Sequence, residues 1–103
     1  MIEIFASRKG GYYRLFVTGH ANYNPGNDIV CAGVSALTGA LLGFAQKSKA
    51  CRHLRCYARQ GEVFLACRGG LGSAFEAVLL ALRGIADAYP QHVQIKALKG
   101  VEI

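Results

Sequence analysis

DIVCAGVSALTGALLGFAQK, residues 28–47, is the stretch on which the fold turns. From Ile29 to Ala45 it holds seventeen residues with only Ser35 and Thr38 polar, the makings of either a short membrane span or a core helix. Gly33, Gly39 and Gly43 interrupt it, and it sits in the middle of a chain otherwise patterned as soluble strands. A buried helix, and no membrane, is therefore expected. Asp28 suits the N-cap, because its carboxylate can accept from the unpaired amides of Val30 or Cys31. The helix should run to about Lys47, with Val30, Val34, Leu37, Leu41 and Phe44 as its core face. A second line of small residues, Ala32, Ala36, Gly39, Ala40 and Gly43, permits close approach of a sheet or another helix. Glycine lowers helix propensity, so packing must compensate.

Outward from this helix the pattern switches to strands. Ile2 to Ala6 and Tyr12 to Thr18 alternate, and Gly10-Gly11 between them suits a hairpin. Gly19 to Asn27 has the composition of an ordered loop with Pro25-Gly26 as its turn. After the helix, Cys51 to Arg59 and Glu62 to Arg68 form a second expected hairpin around Gln60-Gly61. Ser73-Ala-Phe-Glu76 fits a capping box, and Phe75, Val78, Leu79, Leu82, Ile85 and Ala86 carry a second amphipathic helix to Tyr89, where Pro90 stops it. Val93 to Leu98 is a last strand. The order is ββαββαβ, an α/β chain of the α+β type, with two helices on one face of a mostly antiparallel sheet. Residues 1–103 read as a single domain without a linker.

Hydrophobic residues make up 52% and charged residues 17%, which suits a compact body with apolar surface left for a partner. The start, Met1-Ile2-Glu3-Ile4-Phe5, alternates like a strand and has no signal-peptide pattern, so a cytoplasmic protein is expected. Cys31, Cys51, Cys56 and Cys67 then read as thiols. The net charge of +6 would steer polyanions, but it is dispersed. Arg52, Arg55 and Arg59 are its densest group, and a solvated strand face accounts for them better than an RNA footprint, since the sequence shows no aromatic stacking signature. Nucleic acid is not expected as the primary partner.

Chemistry gathers at Cys31. Three residues inside a helix start, amide dipoles favour a thiolate. His20 ends a strand and is joined to the helix by a turn-rich loop that can fold the imidazole over the thiol as proton acceptor. Asp28 lies between them and is a candidate to orient the imidazole as well as to cap the helix. Amides at the helix start are candidates to face an oxyanion. Ser35, one turn beyond Cys31, either hydrogen-bonds near the sulfur or bonds back to the carbonyl four residues earlier.

Other patterns are weaker. Cys51-x-His53-x-x-Cys56 invites zinc, with Cys67 or His92 as a fourth ligand, but on one strand Cys51 and His53 face away from Cys56 unless a bulge intervenes. No metal is expected, and His53 and His92 read as ordinary strand and turn residues. Gly69-Gly70-Leu71-Gly72-Ser73 lacks the lysine of a phosphate-binding loop and reads as a helix entry.

The segment Gly19-His20-Ala21, followed by Gly26-x-Asp28-Ile29-Val30-Cys31-Ala32-Gly33-x-Ser35-Ala36, resembles the signature of the ribosomal-processing cysteine proteases, the Prp family. That bacterial family trims the N-terminal extension from a large-subunit ribosomal protein, number twenty-seven of the L series, before assembly. The resemblance implies a compact α/β homodimer without a cofactor, His20 as catalytic histidine, Cys31 as nucleophile, and Asp28 and Ser35 lining the site. It also implies cleavage after an aromatic residue, with Ala32 and Gly33 leaving space for it and Gly19 as a further oxyanion or substrate contact. The loop from His20 to Cys31 is about one residue shorter than in the family and carries Asn22-Tyr23-Asn24-Pro25. Gly19 and Gly26 bracket it as hinges. The competing reading is a non-enzymatic ribosome- or RNA-associated module that uses the arginines.

Overall fold

The computed structural model describes residues 1–97, so the expectation that the last strand includes Leu98 lies outside the described residues. The order is β1 (Ile2–Lys9), β2 (Tyr12–Thr18), α1 (Ile29–Lys47), β3 (Arg52–Arg59), β4 (Glu62–Arg68), α2 (Ser73–Ala88) and β5 (Val93–Ala97). The strands form one five-stranded sheet in the order β3-β4-β2-β1-β5. Three pairings are antiparallel, and β5 lies parallel to β1 because α2 carries the chain back across the sheet.

Strand alternation gives the sheet two unlike faces. Ile2, Ile4 and Ala6 of β1, Leu15 and Val17 of β2, Leu65 and Cys67 of β4, and Val93 of β5 are buried on the face covered by the helices. The register sets Ile4 beside Val17 and Leu15 beside Leu65, so a slip of one residue would expose the whole apolar set. Among the described residues the opposite face has no helix over it, and it carries Phe5, Arg14, Phe16, Phe64 and Arg68. Gly10 and Gly11 both have positive φ, +58° and +82°, which a two-residue hairpin turn requires.

In α1 the core face is Val30, Val34, Thr38, Leu41, Leu42 and Ala45. Phe44, expected inside, is 48% exposed. The reason is Thr38, whose hydroxyl donates to the Val34 carbonyl at 2.9 Å and so enters the core with its polar group satisfied, completing the series 30, 34, 38, 41, 45. The helix is long and apolar enough to cross a membrane by length and composition, yet this inner stripe is committed to the sheet. Ala32, Ala36, Gly39, Ala40 and Gly43 face outward, so the close approach expected along that line is not made among the described residues. Gly33 alone of the small residues faces α2, where an added Cβ would lie 3.4 Å from Ile85 Cδ1.

In α2, Phe75 and Leu82 are buried, with Phe75 edge-on to Tyr13 at 5.0 Å. The expected capping box does not form. Gly72 is the N-cap, without a side-chain bond, and Glu76 turns instead toward Arg8 at 3.7 Å. In β3 the register shifts between Arg52 and Arg55, and His53 takes φ +54°. That is the bulge a zinc site would need, but among the described residues no three His, Cys, Asp or Glu side chains gather in a metal-holding arrangement.

Candidate active site

The site forms where β2 ends and α1 begins. At Gly19 the chain turns with φ +98°, and an added Cβ would stand 2.3 Å from the Met1 carbonyl oxygen, so only glycine fits. Its amide donates to the Gly61 carbonyl at 3.0 Å, tying the loop to the β3–β4 turn. His20 follows, exposed, its carbonyl accepting from the Met1 ammonium at 2.6 Å. Its imidazole lies against Gly61, where an added Cβ would be 3.0 Å from Nε2.

Ala21 is buried and used at both ends. Its N–H donates to Cys31 Sγ at 3.2 Å, and its carbonyl accepts from His92 Nδ1 at 2.8 Å, which requires the proton on that nitrogen. The Tyr23 ring then packs edge-on against Tyr89 and His92 at 5.2 and 5.3 Å. His92 is thus a clamp on the loop rather than an ordinary turn residue.

Asp28 caps α1 as expected, its Oδ1 accepting from the Val30 and Cys31 amides at 3.0 Å each. Oδ2 accepts from the Tyr23 amide at 3.1 Å, so both oxygens are held by backbone and neither touches His20. The Cys31 amide bond, with those from Tyr23 and Val30, holds the Asp28 carboxyl below its ordinary 3.8 against the opposing effect of desolvation. The Ala32 amide is also taken, by the Asp28 carbonyl at 3.0 Å. The Val30, Cys31 and Ala32 amides are thus each held by Asp28.

Cys31, His20, Ser35 and Gly19 border one cleft of about 290 Å³, floored by Ile2, Val17, Val34 and Val63. Cys31 is half-buried, and no hydrogen bond joins its sulfur to the imidazole in this conformation. Catalytic contacts commonly tighten only with substrate bound. Ser35 is exposed, its hydroxyl bonded neither near the sulfur nor back to the helix. Ala32 and Gly33 are not part of the cleft wall, Gly33 being turned to α2. Cys67 differs from Cys31. Cys67 is buried, and desolvation together with neighbouring Cys51 pushes it up to about 12.

A family model described as cysteine protease Prp matches residues 1–94. The chain belongs to the Prp family. It is accordingly a cysteine protease. The fold is similar to that of the ribosomal processing protease Prp of S. aureus in complex with a covalently linked product peptide, with a TM-score of 0.74 at 22% identity over 95% of this chain and 100% of the other. The same S. aureus protease with a substrate peptide gives 0.70 at 22% identity over the same shares. A protein from Streptococcus mutans gives 0.70 at 27% identity over 95% of this chain and 94% of the other. No curated protein matches the sequence.

The far wall of the Prp cleft is one that motif reading missed. Arg59, Gln60, Gly61 and Glu62 reach it from the β3–β4 hairpin because β4 lies beside β2, with Glu62 opposite Thr18. Arg59 and Glu62 pair at 2.7 Å, and Tyr57 donates to Glu62 at 3.1 Å. The Arg59 guanidinium pulls the Glu62 carboxyl below its usual range. Gly61 was visible in the sequence only as a turn; its missing side chain is also what makes room for the His20 ring.

Proposed function

We propose that this protease removes the N-terminal extension of a large-subunit ribosomal protein, number twenty-seven of the L series, using Cys31 as nucleophile and His20 as acid and base. The observation that carries the mechanism is the Cys31 sulfur at the start of α1, accepting the Ala21 amide and opening on the cleft that His20 also borders. His20 turns from Gly61 toward the sulfur and takes the thiol proton. Sγ bonds to the scissile carbonyl carbon, whose π electrons move to oxygen. As the carbonyl reforms, the C–N bond breaks and His20 gives its proton to the departing amine. Water, deprotonated by His20, then attacks the thioester, and the thiol is restored. The apolar floor of Ile2, Val17, Val34 and Val63 suits an aromatic side chain of the substrate. Asp28 acts through the backbone, fixing the loop and the helix start on which Cys31 sits.

The ribosomal substrate rests on the family signature and on the ribosomal processing activity of the S. aureus relative. We extend the proposal to a cytoplasmic homodimer, for which the free thiols and the outward small-residue line of α1 beside exposed Phe44 are the support. The test is incubation with a peptide spanning the extension's cleavage site under reducing conditions. Cleavage after an aromatic residue is expected, reduced about 10⁴-fold or more by Cys31→Ala and about 10²- to 10⁴-fold by His20→Ala. No cleavage by the unaltered protein would count against the substrate, and full activity of Cys31→Ala against the mechanism.

A further inference from the structure

The helix-free face of the sheet is ordered in rows that the sequence does not reveal. Pairing brings Lys96, Phe5, Phe16, Phe64 and Tyr57 into one line across all five strands. Neighbouring rings in it are 6.2, 6.5 and 5.6 Å apart, and Lys96 lies over Phe5 at 5.8 Å. The next row is Ser7, Arg14, Ala66 and Arg55, and the one beyond it Lys9, Tyr12, Arg68 and Arg52. Arg68 covers the Tyr12 ring at 5.3 Å, and Tyr12 is 49% exposed. Between these rows and the β3 bulge lies a hollow of about 720 Å³, walled by Lys9, Tyr12, Arg14, His53 and Arg55.

Charge is sorted across the face. Among the described residues, none of Lys9, Arg14, Arg52, Arg55 and Arg68 is paired with a carboxylate, whereas Glu3 and Glu62, on the far side of the aromatic row, are taken by Lys96 and Arg59. A second copy of the face would bring no free carboxylate to meet these cations, and a neutral partner would leave them uncompensated. A chain that carries one negative charge per unit and a planar apolar group beside it satisfies both features at once.

We propose that this face binds single-stranded RNA, phosphates in the basic hollow and bases on the aromatic row. Attraction to a single-stranded polyanion follows from the face alone; the choice of RNA over DNA rests on the ribosomal reading above. The basic hollow lies on the opposite side of the sheet from Cys31 and shares no residue with its cleft, so it adds a docking surface to the protease without entering its chemistry.

Fluorescence anisotropy of the full chain with a labelled single-stranded RNA of about 12 nucleotides tests it. Binding is expected to fall with salt at a log–log slope of about −3. The double variant Arg14→Glu/Arg55→Glu should lose at least about tenfold in affinity and reduce the slope by about one. Phe5→Ala, a change in the aromatic row that leaves the helix-covered core face intact, should lose about tenfold through stacking. Peptide cleavage by all variants should be unchanged, which separates this proposal from the protease reading and shows that the variants fold. Absence of salt-sensitive binding, equal binding by the variants, or tighter binding of single-stranded DNA or duplex would overturn it. So would a homodimer that the double variant abolishes.

Discussion

At Cys31 three short-range effects meet: the helix start beneath it, the Ala21 amide pointed at its sulfur, and partial exposure to the cleft. Brief alkylation of the folded protein with iodoacetamide should therefore modify Cys31 first and spare buried Cys67, read by peptide mass mapping; earlier labelling of Cys67 would contradict the assignment. Gly19 makes an equally local prediction. Gly19→Ala puts a Cβ 2.3 Å from the Met1 carbonyl in a left-handed backbone, and should destabilise by about 2 kcal/mol or more in a denaturant titration. Asp28 gives a pH signature. Its folded carboxyl is depressed, so its contribution to stability is present above the ordinary value of 3.8 and is lost as pH falls below that value through the folded pKa. Asp28→Asn should lower Tm at neutral pH and flatten its acid dependence; an unaltered profile would mean the cap is idle. The sequence showed Cys31, His20 and the Asp28 cap because each is a local pattern. It did not show that both Asp28 oxygens go to backbone, since Tyr23 reaches Oδ2 only through the fold of the loop.

Among the elements, the loop from Gly19 to Asn27 is held at positions motif reading passed over. His92 on Ala21 and Tyr23 on Tyr89 clamp it to the end of α2 and the start of β5. His92→Leu removes the donor to the Ala21 carbonyl while keeping bulk. Amide exchange across residues 19–27 should then quicken, and peptide cleavage should slow; exchange that stays the same would show the clamp does nothing. For α2, Phe75→Ala should cost about 3–5 kcal/mol by chemical denaturation, because the ring fills the space between α2 and Tyr13. Periodicity located both helices and all strands, yet it rotated the end of α1, preferring Phe44 where satisfied Thr38 is buried. A buried hydroxyl that bonds back to its own helix reads as polar in any hydropathy pattern. The capping box failed for a similar reason: Glu76 had a cation, Arg8, on a strand distant in sequence.

For the whole molecule, the sheet order β3-β4-β2-β1-β5 does two things. It brings the β3–β4 hairpin to the edge of the Cys31 cleft, completing a wall from residues about thirty positions further along the chain, and it lines up the aromatic row on the opposite face. Neither was legible in one dimension, because both depend on which strands are neighbours and in what register. The class of fold and the meeting of Cys31 with His20 at one cleft were legible, because alternation, helical spacing and a compact signature sit in contiguous residues. One measurement bears most directly on the thiol mechanism: acid-quenched mass spectrometry of the protein mixed with its substrate peptide. A covalent adduct with the mass of the peptide's N-terminal fragment, as a thioester mapped to Cys31 and absent in Cys31→Ala, is the expected result; turnover by Cys31→Ala, or an adduct on another residue, would contradict it.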